Sequence, residues 1–142
     1  MKISTIFRGM LLPVLLLATA SVAMAGDLNG IWRGEAEAIY PNGDSLAGLQ
    51  FDGTIYQQEE SGLFYGSFTY TVPGLGQISG AITGYIARGG EFSGLLSVFL
   101  SEGDPPTAVA LVDGKLTGNK ITATTRDFSD GTTSLLKASR VR

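Results

Sequence analysis

Carboxylates are nearly the only side chains in this sequence with the means to do chemistry. It contains no histidine and no cysteine. That removes the Ser-His-Asp triad, the Cys-His pair, and any zinc site built on imidazole or thiolate. What remains is Glu35 with Glu37, Glu59 with Glu60, Glu102 with Asp104, and Asp127 with Asp130 on either side of Phe128-Ser129. Glycoside hydrolysis needs two such groups facing each other across a cleft, one with its pKa raised. Here Glu35 and Glu37 share the solvent side of a strand and the others lie in turns, so all read as solvated carboxylates. The Asp127-x-x-Asp130 spacing matches no calcium loop of the EF-hand type. The expectation is a protein without catalytic residues, metal or cofactor. A barrel-cyclase type of enzyme, needing only shape and one polar group, ranks last.

The aromatic residues offer binding chemistry instead. Trp32, the only tryptophan, and Tyr40, Phe51, Phe64, Phe68, Tyr70 and Phe92 all fall on the apolar parity of their strands. Core packing is the ordinary role of such residues. Tyr40 and Tyr70 differ, because each is the last inward position of its strand, where a hydroxyl at a barrel mouth could orient a ligand. A small apolar or amphipathic ligand would therefore be held by Trp32, Tyr40, Phe68 and Tyr70.

Positioning these residues requires a fold, and its domain begins after a leader. Lys2 and Arg8, an apolar stretch from Met10 to Ala20, and Ala23-Met24-Ala25 read as a cleavable signal peptide over residues 1–25. The apolar stretch is short for the roughly 20 residues that cross a bilayer and carries Pro13. No cysteine stands at the junction to take a lipid. Residues 26–142 then form a single exported domain, periplasmic or extracellular. The net charge is −3 and turns more negative once Lys2 and Arg8 are removed, so nucleic acid is an unsuitable partner.

Within that domain, turn residues separate eight runs rich in β-branched and aromatic side chains. They are Ile31–Tyr40, Leu46–Gln57, Leu63–Thr71, Gln77–Ala87, Glu91–Ser101, Ala108–Leu116, Lys120–Arg126 and Thr132–Val141. Asn42-Gly43 is a hairpin signal, since both residues tolerate positive φ. Pro105-Pro106 cannot enter a ladder. Short links between eight strands predict an all-β, antiparallel, eight-stranded up-and-down barrel, closed so that no edge is left exposed.

A repeated apolar-x-Gly-x-apolar pattern supports closure: Phe51-x-Gly53-x-Ile55, Phe64-x-Gly66-x-Phe68, Ile78-x-Gly80-x-Ile82 and Phe92-x-Gly94-x-Leu96. Inward glycines relieve bending and leave room for neighbouring aromatics in a filled barrel. A hollow interior is the sharper reading of the same pattern. Charged residues such as Arg33, Glu35, Glu37 and Asp52 alternate with the apolar set and must face water, which argues against a membrane-inserted barrel. Leu95 and Phe99 break the rule by placing apolar side chains on the outer face of their strand. Either a loop covers this outer pair or it is the candidate interface of a homo-oligomer.

Gly30-Ile31-Trp32 at the start of the first strand resembles the Gly-x-Trp opening of the calycin barrels, the lipocalins and avidins. That resemblance implies a basic residue near the end of the last strand packed across the tryptophan, and Arg140 stands at the matching place. The chain departs from lipocalins in ending at the eighth strand, without the helix that follows their barrel. It departs from avidins in having one tryptophan, and Gly34 where they carry a biotin-contacting asparagine. The leading expectation is an exported, non-enzymatic barrel that binds a small ligand, entered by Tyr40 because Trp32 and Arg140 seal the other end. The alternative is a protein-binding or structural envelope module, such as a protease-inhibitor-like barrel.

Overall fold

The computed structural model of the protein describes residues 26–101 and 103–141; the expected leader over 1–25 lies outside the described residues. Eight strands follow one another: β1 (Gly30–Ile39), β2 (Ser45–Gln57), β3 (Leu63–Val72), β4 (Gly76–Ile86), β5 (Glu91–Phe99), β6 (Ala108–Thr117), β7 (Lys120–Asp127) and β8 (Thr133–Arg140). Each pairs antiparallel with the next, and β8 returns to pair with β1, closing the barrel in chain order. Trp32 stands opposite Arg140 and Ile39 opposite Thr133 across the closing ladder.

Period-two alternation sets the inside. Along β7, Ile121, Ala123 and Thr125 are buried while Thr122, Thr124 and Arg126 are exposed. Along β1, Trp32 and Ala38 are buried and Arg33 and Glu35 are exposed, with Arg33 paired to Asp52 on the outer face at 2.8 Å. One position departs from this alternation. Ala36 pairs with Leu49 but Ala38 pairs with Leu46, so β2 carries an extra residue at Ala47-Gly48. Gly48 takes φ +75°, a conformation other residues avoid. The bulge turns both Leu46 and Leu49 toward the interior, which strict alternation from Leu49 would not do for Leu46.

The inward glycines seat aromatic rings on the neighbouring strand. Gly34 lies opposite Phe51, Gly80 opposite Phe68, Gly84 opposite Phe64 and Gly114 opposite Phe92. A Cβ placed on Gly80 would meet the tip of the Phe68 ring at 2.0 Å, and one on Gly114 would meet the tip of Phe92 at 2.3 Å. Each ring thus folds down across the glycine beside it. The rings line the wall and leave the middle empty, so the expected filled interior is not what forms. The lumen holds a cavity of about 360 Å³. It sits at the lower end of the roughly 300–1,000 Å³ of ordinary ligand sites.

Candidate functional site

The floor of the cavity is built from the segment before β1. Residues 26–29 fold back over the barrel end, where Leu28 is 1% exposed and Trp32 is 2% exposed. The Trp32 indole N–H donates to the Leu28 carbonyl at 2.8 Å. Gln57 holds the segment in place: its side-chain amide donates to the Gly26 carbonyl at 2.7 Å and accepts from the Leu28 N–H at 2.8 Å. The Arg140 guanidinium lies over the Trp32 ring, with Cζ 4.6 Å from the ring centroid. It donates to the backbone carbonyls of Asn29 and Asp27 and, through Nε, to the Asn119 side chain at 3.1 Å. This end is sealed by packing, by six donors fixed on carbonyl or amide oxygens, and by a cation on a ring face. Sequence reasoning named Trp32 and Arg140 but missed Leu28 and Gln57. Leu28 precedes the first strand, so no alternation marks it.

The walls are apolar through most of their height. Phe51, Ile55, Phe64, Phe68, Ile82 and Phe92 line one side, and Leu96, Val98, Ala110, Val112, Ile121 and Leu136 continue around it. Phe64 and Phe92 meet edge to face, with centroids 5.9 Å apart. Phe68 and Tyr70 stack with centroids 6.0 Å apart. These contacts hold the rings against the wall.

The mouth lies at the opposite end and is polar on one side. Tyr40, Tyr70 and Val72 stand on the β1 and β3 side, and Asp127, Asp130, Thr132 and Ser134 on the β7–β8 side. Thr125, the buried polar residue at 9% exposure, lies just below them on the same wall. Asp127 accepts from the Ser129 N–H at 2.7 Å and from the Ser129 hydroxyl at 2.6 Å, both through Oδ1. Asp130 accepts from the Thr132 N–H at 2.8 Å. That bond holds the Asp130 carboxyl below the usual carboxylate range. Burial, and then the negative charge of Asp127 across the mouth, push the Tyr70 phenol above its ordinary value.

All of Trp32, Tyr40, Phe68 and Tyr70 line this one cavity, but not at one level. Tyr40, 39% exposed, and Tyr70 are at the mouth, whereas Trp32 is at the floor. Asp127, at the end of β7, and Asp130, an exposed carboxylate of the β7–β8 turn as the sequence suggested, both border the opening. The legible signal was the parity of β7, which runs inward through Ile121, Ala123 and Thr125 to Asp127. No group of three or more acidic side chains is arranged to hold a metal ion among the described residues. On the outer face, Leu95 is 45% exposed and lies directly opposite Leu111, also 45% exposed, on β6. Phe99 is half-buried opposite Ser79. Tyr56 and Tyr65 stack outside β2 and β3 with centroids 5.5 Å apart.

No protein-family model matches the chain. No curated protein matches it either. Among solved structures it is similar to Rv2717c from M. tuberculosis, with a TM-score of 0.51 at 11% identity, over 81% of this chain and 93% of that one. At that identity the likeness is one of fold.

Proposed function

We propose that the protein is an exported, non-enzymatic carrier or scavenger of a small apolar or amphipathic molecule, held inside a calycin-type barrel. One observation carries this reading: an apolar cavity of about 360 Å³ sealed at the Trp32 end and open at the Tyr40 end. Filling it would remove apolar wall from water and restore the dispersion contacts an empty lumen forfeits. A leader over residues 1–25 would deliver the barrel to the periplasm or the medium. Catalysis has little to work with, since the chain has neither histidine nor cysteine.

Native mass spectrometry of protein purified from the exporting cell tests the reading. A discrete adduct of a few hundred daltons, displaced by added decanol, supports it. Protein that is empty and stays empty through a panel of alkyl alcohols and lipids contradicts it.

A second reading, self-association, rests on the outer face. Leu95 and Leu111 make an exposed apolar pair across β5 and β6, in line with the outward Phe99. Sedimentation equilibrium checks this: a dimer that Leu95→Glu dissociates supports it, and a wild-type monomer at all concentrations removes it.

A further inference from the structure

The lumen and its mouth differ in chemistry, and the difference bears on which amphipathic molecule fits. Lysine and arginine are both missing from the lining of the cavity among the described residues. Two carboxylates, Asp127 and Asp130, border the opening on the β7–β8 side. Asp127 uses Oδ1 for both of its bonds to Ser129, so Oδ2 is the oxygen left for a ligand. The hydroxyl oxygen of Thr132, on the same wall, is buried beside the Asp130 carboxyl without a well-formed hydrogen bond. Such an atom can take a hydrogen bond from a water or from a bound group. Thr125, more than nine-tenths buried, faces the same cavity one step deeper. Across the mouth stands the Tyr70 phenol, whose pKa is raised by burial and then by the charge of Asp127.

We propose that the cavity selects an amphipathic cation, with its apolar tail in the lumen and a primary or substituted ammonium head between Asp127, Asp130 and the Thr132 hydroxyl. An ammonium carries donors or positive charge and no acceptor, which matches two carboxylates and a hydroxyl oxygen. A carboxylate head of equal length would bring a third negative charge to the same opening, with no cation to receive it. A neutral alcohol would place its tail equally well but forgo the charge-assisted bonds. This inference rests on the cavity being a ligand site and adds the sign of the head group.

Three probes of one chain length separate the two: decylamine, decanol and decanoate, titrated at neutral pH. Trp32 at the floor reports tail entry by its emission, and native mass spectrometry counts the bound molecules. Decylamine should bind about tenfold or more tighter than decanol, with decanoate weakest. In the Asp127→Asn, Asp130→Asn double variant, decylamine should fall to the level of decanol while decanol keeps its wild-type affinity, which also reports an intact lumen. Decanoate equal to or tighter than decylamine in the wild type overturns the inference. So does a decylamine preference that survives in the double variant, since the protein's overall negative charge would then explain it. If decanol binds and decylamine gains nothing, the head-group inference fails and the cavity reading stands. If none of the three binds, both fail.

Discussion

At the scale of single residues, the inward glycines decide whether this barrel is hollow. Gly80 and Gly84 lie on the same strand and face the same lumen, yet substitution should separate them. A Cβ on Gly80 first meets the tip of Phe68, a side chain that can swing away. Gly80→Ala should therefore keep most of its stability while pushing Phe68 into the cavity and weakening ligand binding. A Cβ on Gly84 meets the Ser93 carbonyl oxygen at 2.2 Å and the Gly94 Cα at 2.8 Å, neither of which can move alone. Gly84→Ala should cost about 1–3 kcal/mol, read from urea unfolding. Equal loss of stability in the two variants would contradict this division. Tyr70 gives a prediction in pH. Its pKa is raised in the fold, first by burial and then by Asp127. The stability contributed by the neutral phenol is thus complete below the ordinary tyrosine value of 10.0 and is lost as pH climbs through the raised one. Tyr70→Phe should lose less stability than the wild type between neutral pH and the alkaline range, in denaturant titrations at a series of pH values. Parallel curves would rule the effect out. The glycine pattern was visible in the sequence, but the seat of each ring was not. It depends on cross-strand register, which pairs Phe68 with Gly80 through backbone geometry and leaves no mark within either strand alone.

At the scale of elements, eight strands and their turns follow from glycine, proline and alternation, and the strand ends differ from those expectations by two residues or fewer. Where the structure departs, a local backbone cause is present. Asn42-Gly43 does turn the first hairpin, but only Gly43 takes positive φ, at +91°. The Gly43 N–H donates to the Tyr40 carbonyl and the Tyr40 N–H to the Asp44 carbonyl, a longer loop than a two-residue turn. The bulge at Gly48 was equally hidden, since an extra residue changes the facing of Leu46 without changing the composition of β2. The sealed end depends on three elements meeting: the segment before β1, the start of β1, and the end of β8. Arg140→Ala removes the stack on Trp32 and the bonds to the carbonyls of Asn29 and Asp27. A loss of about 2–4 kcal/mol is expected. Leu28→Ala, at the most buried position of that segment, should cost about 2–5 kcal/mol. Trp32 emission follows both unfolding transitions. Stability unchanged in Arg140→Ala would mean the stack is an exposed contact of little consequence.

At the scale of the whole molecule, the protein gives up packing to keep a space. A filled eight-stranded barrel would contribute more dispersion and more buried apolar area than this one does. The aromatic residues folded onto their glycine seats leave that contribution unmade. Length, alternation and turn spacing made the barrel legible, because closure follows from local rules repeated around a circle. Hollowness was not legible, because it is a difference between the volume enclosed and the volume filled, and no single residue carries it. The most direct test of the central claim is calorimetric titration of decanol into the wild-type protein and into Ala110→Phe, whose new ring would occupy the lumen beside a residue now 6% exposed. The account predicts one saturable site in the wild type with a negative heat-capacity change, and no binding to an Ala110→Phe protein that unfolds at the same or a higher temperature. Absence of saturable binding in the wild type, or binding undiminished in Ala110→Phe, would contradict it.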